Sequence, residues 1–197
     1  MTLQNIYSVG ETGIGVVRDD LTKMAYVEAV VSAGSTPGGC EAGSAKITDA
    51  CGMPCRHVIQ TAGPVWQGGD CGEAELLASC YESSLQAAVE NGIRTIAFPS
   101  ISTETSSYPL EEAAYIAVHA VIEFAAAHPG DLAIVLWACT DDRTQAVYQR
   151  ALEQAASEQD FEMHPGMMVV ASELEVGKAM KEMFIGAEDD VPPEYLS

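Results

Sequence analysis

Basic side chains are scarce. Nine Lys and Arg stand against 29 Asp and Glu in 197 residues, a formal net charge of -20. Such a surface repels phosphate backbones and anionic headgroups, so neither nucleic acid nor a membrane is an expected partner. Long apolar runs are missing as well, and none approaches the roughly 20 residues of a membrane span. The first residues, Met1-Thr2-Leu3-Gln4-Asn5, lack the basic start and apolar stretch of a secretory leader. A cytoplasmic protein is expected. No Gly-x-Ser-x-Gly elbow and no P-loop is present, so two common hydrolytic motifs are missing. The six cysteines, at 40, 51, 55, 71, 80 and 139, sit in a chain too long to need a disulfide framework. Cys51 and Cys55 with His57 superficially resemble a metal site, but no second ligand pair follows. Cys55 and His57 open an apolar strand, where a thiol packs as a small core residue. Neither a metal nor a cofactor is expected.

What is present is enough for one core: apolar residues make up 48% of the chain. Short β-branched runs read as strands at 5–9, 14–18, 27–31, 57–61, 95–99 and 132–137, with Gly10-Glu11-Thr12-Gly13 as a hairpin turn. The last two are continuously apolar, as central strands covered on both faces should be. Helical periodicity runs from Glu73 to Asn91, closed by Gly92, then from Leu110 to Ala127 and from Asp141 to Ala156. Strands alternating with helices predict an α/β fold, a three-layer α/β/α sandwich around a mixed, mostly parallel sheet. In such sheets ligands sit beyond the carboxyl ends of the strands. The loops that matter therefore follow Val31, Thr61, Pro99 and Ala138.

Two stretches carry a resemblance. Gly43-Ser44-Ala45-Lys46-Ile47-Thr48 with Arg56-His57-Val58-Ile59-Gln60-Thr61-Ala62-Gly63-Pro64-Val65-Trp66 is one. Cys80-Tyr81-Glu82-Ser83-Ser84-Leu85, running through Asn91-Gly92-Ile93-Arg94-Thr95-Ile96-Ala97-Phe98-Pro99-Ser100-Ile101-Ser102-Thr103, is the other. With further ordered matches over residues 16–153, the chain closely resembles the macrodomain family. That resemblance implies an α/β/α sandwich and an ADP-ribose-like ligand. Many members remove ADP-ribose from proteins or deacetylate O-acetyl-ADP-ribose.

The resemblance also implies a site. Asp20 takes the place of the acid that accepts from the adenine amine, and Leu21 that of its apolar neighbour. Thr140 stands where members often stack an aromatic on adenine, and Trp137 is expected in the core. The diphosphate loop corresponds to Ser102-Thr103-Glu104-Thr105-Ser106-Ser107-Tyr108, all ligand-binding candidates. In it Glu104 and Ser107 replace the family's glycines. A carboxylate at position 104 would repel a phosphate by about 1 to 4 kcal/mol at 4 Å. Ser107 would put a Cβ where a positive φ is wanted. After the third strand the family carries an Asn-Ala-Ala-Asn-like segment and a glycine-rich loop with a helix. Here Val31-Ser32-Ala33-Gly34-Ser35 leads almost directly to Glu41-Ala42-Gly43, and the loop and helix are missing. No catalytic residue is identified; Ser32, Ser35 and Glu41 are the only candidate substitutes for proton transfer and water positioning.

Three functions follow from these features: a binder of an ADP-ribose-like nucleotide without turnover, an active ADP-ribosyl hydrolase or O-acetyl-ADP-ribose deacetylase with a rebuilt site, or a scaffold that serves as an interaction module. Residues 1–156 are expected to form the macrodomain-like unit. Residues 157–197 read as an acidic, Met-rich appendage with a helix at about 172–184 and a disordered tip. Residues 161–185 are expected to fold back over the surface that the missing helix vacates, in the same chain or in a homodimer.

Overall fold

The computed structural model describes residues 3–34, 41–50, 52–103, 106–158 and 163–166. The chain opens with a hairpin, β1 (Leu3–Val9) and β2 (Thr12–Arg18), joined by Gly10 and Glu11 alone. The turn is shorter than the four residues expected because Thr12 and Gly13 already belong to the sheet. Thr12 is fully buried and donates from Oγ1 to the Leu132 carbonyl at 2.9 Å, while Gly13 N donates to the Ala133 carbonyl at 2.8 Å. A 3-10 turn follows at Leu21–Lys23.

The remaining elements alternate as periodicity predicts. They are β3 (Ala29–Ala33), β4 (Ala45–Asp49), β5 (His57–Thr61), α1 (Glu73–Glu90), β6 (Thr95–Phe98), α2 (Leu110–Ala127), β7 (Ile134–Cys139), α3 (Asp142–Ser157) and β8 (Met163–Gly166). The sheet order is β4-β5-β3-β6-β7-β2-β1-β8, which puts β6 centrally. Parallel pairing runs unbroken from β5 through β3, β6 and β7 to β2, with antiparallel strands at both edges. β7 begins later than its apolar run, since Ala133 N and Ile134 N are both taken by the Arg94 carbonyl. Strand β4 escapes the hydrophobic pattern because Lys46, Thr48 and Asp49 face water on an edge.

The two faces of the sheet are covered unequally. All three α-helices bury their apolar stripes in one cluster, with Leu77, Leu85, Val118, Ile122 and Leu152 packed against Ile14, Ile59, Ile96, Phe98 and Trp137. Trp137 is fully buried there, as expected. On the opposite face a second cluster gathers Val17, Val30, Val58, Ala97 and Leu136 beneath Met24, Tyr26, Val27 and Cys55. Among the described residues, that layer consists of the 3-10 turn, whose Leu21 packs on it, and loops. The α/β sandwich is thus present, but instead of helices on both faces all three α-helices lie on one, and among the described residues the other carries only the 3-10 turn and loops. Cys55, Cys71, Cys80 and Cys139 are free thiols. Among the described residues no helix is long and apolar enough to cross a membrane, and no group of three or more His, Cys, Asp or Glu could hold a metal ion. In the C-terminal segment β8 pairs antiparallel with β1, from Ile6 opposite Gly166 to Val9 opposite Met163. The helix expected at 172–184 and the tip lie outside the described residues.

Candidate ligand-binding site

The parallel strands β2, β3, β5, β6 and β7 all end on the same side, and the loops beyond them frame a crevice. At the end of β2, Asp20 caps the 3-10 turn. Its Oδ1 accepts from Thr22 N at 3.0 Å and from Thr22 Oγ1 at 2.7 Å, and Oδ2 lies 3.3 Å from Lys23 Nζ. The bond from the Thr22 hydroxyl, then that from its amide, holds the Asp20 carboxyl below its usual range. The carboxylate remains partly exposed, so it is ionised, oriented and accessible. Its neighbour Asp19 accepts from the Tyr26 hydroxyl at 2.6 Å, which ties the turn to the loop after it.

The described residues of the loop between β6 and α2 are tied together by several contacts. Ser102 and Ser107 both adopt left-handed backbone, with φ of 66° and 57°. These are the only described non-glycine residues with positive φ, a conformation that costs an L-residue roughly 1–2 kcal/mol. The positive φ expected at Ser107 is therefore present without the glycine that would relieve it. Tyr108 N donates to the Ser102 carbonyl at 3.0 Å, closing the loop on itself. Tyr108 is buried, with its ring 4.6 Å from that of Trp66, and Trp66 N donates to the Ser106 carbonyl at 3.0 Å. Tyr108 thus supports the loop from behind as well as lining the groove. The single hydrogen of the Thr103 hydroxyl is shared between the carbonyl and Oγ of Ser100, at 3.1 and 3.0 Å. Glu104 and Thr105 lie outside the described residues.

An open groove of about 560 Å³ runs from this loop to the start of α3, lined by Thr103, Ser107, Tyr108, Glu111, Asp141 and Arg143 among others. Asp141 caps α3, accepting from Thr144 N at 2.8 Å and Thr144 Oγ1 at 2.6 Å. The hydroxyl bond first, then the amide bond, holds its carboxyl low. Arg143 lies 3.7 Å from Glu111 across the groove. Thr140 is exposed at the end of β7.

The other wall is spare. Between Ala33 and Ala45 the chain has residues 34–44, and no helix among those described. Gly34 N donates to the Thr61 carbonyl, Ala42 bridges to Ala62, and the Gly43 carbonyl accepts from Ser79 and Ser83, each at 2.9 Å. Gly43 is buried at φ +82°, and a Cβ there would stand 3.2 Å from Ser79. The connection is thus stitched over the end of β5. Ser32 and Glu41 are exposed, while Ser35 falls outside the described residues.

Gly63, beside the β6 loop, and Arg18, at the carboxyl end of β2, carry no sequence signal of their own role. Gly63 is pressed against the loop so closely that a Cβ would lie 2.1 Å from Ser102 Oγ. Arg18, at the end of β2, pairs with Asp142 at 3.6 Å and leaves Nη1 buried without a partner. The first lacks a side chain to notice, and the second is one arginine among few.

A macro domain family model matches residues 21–117. Over 115 residues the chain is 54% identical to a macro domain-containing protein of Chlorobaculum tepidum, covering 58% of this chain and 66% of that one. It is 50% identical over 115 residues to the O-acetyl-ADP-ribose deacetylase of Klebsiella pneumoniae, covering 58% and 65%. It is also 44% identical over 128 residues to a macro domain-containing protein of Cupriavidus necator, covering 65% and 73%. The chain thus spans just under two thirds of the length of the first two. Among solved structures, the Oceanobacillus iheyensis macrodomain with ADP superposes with a TM-score of 0.72 at 25% identity, over 78% of this chain and 96% of that one. The Trypanosoma brucei macrodomain in complex with ADP-ribose gives 0.63 at 27% identity, over 71% and 68%. Strand order, crevice and sequence agree, and the chain belongs to the macrodomain family.

Proposed function

We propose that this macrodomain binds ADP-ribose, or a nucleotide of the same kind, without turning it over. The observation that carries the proposal is the pair of left-handed serines, Ser102 and Ser107, in the β6 loop. Backbone strain at non-glycine positions persists where the surroundings over-determine it, and such positions cluster at ligand clamps. The relatives in solved structures hold ADP and ADP-ribose, and Asp20 is presented ionised at the end of β2. Turnover needs acid, base or water-positioning groups within hydrogen-bond reach of the reacting atom. Of the candidates for that work, the described ones are the exposed Ser32, in β3, and the exposed Glu41, in the short connection after it.

Titration calorimetry with ADP-ribose tests the binding half. The expected result is saturable binding weaker than that of an ordinary macrodomain, and no heat of binding would refute it. A panel of ADP-ribose, AMP and NAD in thermal unfolding ranks ligands, since a ligand at 100 times its Kd adds about 2.7 kcal/mol. A second reading, an active deacetylase with a rebuilt site, is favoured by the name of the Klebsiella pneumoniae relative. Acetate release from O-acetyl-ADP-ribose separates the two. A homodimer through the C-terminal segment belongs to the same proposal, with sedimentation before and after removal of residues 159–197 as its test.

A further inference from the structure

The loop between β5 and α1 is held from inside by a carboxylate. Glu73, the first residue of α1, is only 2% exposed. Its Oε1 accepts from Gln67 N at 2.9 Å and Gly69 N at 3.1 Å, and its Oε2 from Cys71 N at 2.6 Å. Among the described residues no Lys, Arg or His pairs with it. The charge is therefore met by a nest of backbone donors rather than by a cation. Gly68, Gly69 and Gly72 take positive φ of 117°, 93° and 75°, which the loop needs to turn its amides inward. Burial pushes the carboxyl up, and the amides of Gln67, Glu73 itself, Gly69 and Cys71 together more than offset it, so the group stays below its usual range. The nest closes over Trp66: a Cβ on Gly69 would stand 3.0 Å from Trp66 Cη2. On its other side Trp66 holds two residues of the crevice wall, donating from N to the Ser106 carbonyl and packing its ring 4.6 Å from that of Tyr108. The left-handed Ser107 lies between those two.

We propose that Glu73 is a positioning residue for the crevice: its carboxylate shapes the 67–71 turn, the turn fixes Trp66, and Trp66 holds the wall on either side of Ser107. The ligand used to test this rests on the reading above; the positioning does not. Calorimetric titration with ADP-ribose is to be run on the wild type, Glu73→Ala, Glu73→Gln, Trp66→Leu and the Glu73→Ala/Trp66→Leu pair. Glu73→Ala weakens binding about tenfold, the upper part of the range for residues that act on a site without touching its ligand. Acetate matches the atoms removed, so it refills the nest of Glu73→Ala and restores affinity, where chloride at equal ionic strength does not. Trp66→Leu weakens binding by itself, and adding Glu73→Ala costs nothing further, because Glu73 acts only through Trp66. Wild-type affinity in Glu73→Ala, additive losses in the pair, or no response to acetate overturns the proposal. A merely structural Glu73 would lower the melting temperature and leave affinity alone. Should Glu73→Ala fail to fold, Glu73→Gln carries the test. Its Oε1 keeps the Gln67 and Gly69 amides while its Nε2 turns a donor on the Cys71 N–H, so it binds severalfold more weakly than the wild type, and equal affinity overturns the proposal. If the wild type binds no ADP-ribose, the functional reading fails by itself. The positioning is then judged on ligand-free amide exchange at Tyr108, whose N–H closes the wall on Ser102. Glu73→Gln speeds that exchange relative to the β6 amides, and an unchanged ratio overturns the positioning role.

Discussion

The two walls of the crevice are built from connections of equal length, residues 34–44 after β3 and 99–109 after β6, and they differ in kind. The β6 connection leads into a helix, holds two serines in left-handed backbone and is backed by Trp66, Tyr108 and Gly63. The β3 connection leads into an edge strand and is tied down over β5 by Gly34, Ala42 and Gly43. On the proposed reading the first wall meets the diphosphate, and the second, with no helix among its described residues, offers little for turnover. The proposal therefore assigns binding and turnover to separate segments of chain.

The largest expected effect comes from the contact behind the binding wall. Gly63→Ala places a Cβ 2.1 Å from Ser102 Oγ and 2.7 Å from Ile101 Cγ2. Overpacking of this kind costs about 1–3 kcal/mol. The variant should melt lower and lose ADP-ribose binding by calorimetry; wild-type affinity would mean the loop shape is not needed. Next comes alkaline stability. Tyr148, at about 12, is raised from an unfolded value of 10.0, so its contribution is present below pH 10 and is lost as the pH rises towards 12. That loss is roughly 2–3 kcal/mol, and Tyr148→Phe should flatten it in chemical unfolding measured between pH 9.5 and 12. An equally steep decline in the variant would assign it to other groups.

Two smaller effects compare the walls directly. Glu104→Gly removes the carboxylate expected to face the diphosphate and should tighten ADP-ribose binding about tenfold. No change would mean the ligand does not meet this loop. Ser32→Ala and Glu41→Gln alter the β3 wall, where no ligand contact is expected, and should leave affinity within about twofold. A larger loss would return those residues to the list of working groups.

Much of the fold was legible from periodicity. The three helices and the central β6 follow from their apolar spacing, and the parallel sheet from the alternation of elements. Strand β4 was not, because an edge strand carrying Lys46, Thr48 and Asp49 has no apolar rhythm to find. Nor was the unequal covering of the sheet, since apolar spacing within a helix does not say which face of the sheet the helix takes. At the site, Asp20 and the serine loop could be placed by resemblance, and the positive φ of Ser107 followed from the glycine it replaces. Asp20 also caps the 3-10 turn that follows it, as an Asp in front of a helical turn commonly does. The hydrogen-bonded hydroxyls of Tyr81, Tyr148 and Ser100 belong to residues 67 and 48 positions apart, and nothing in a linear pattern links them.

Phosphorus and proton spectra of O-acetyl-ADP-ribose, recorded with the protein over several hours beside a protein-free control, test binding and turnover in one sample. Separate walls for binding and chemistry predict shifted or broadened diphosphate resonances and acetate no faster than in the control. Unperturbed phosphorus lines, or acetate released well above the control, would contradict it.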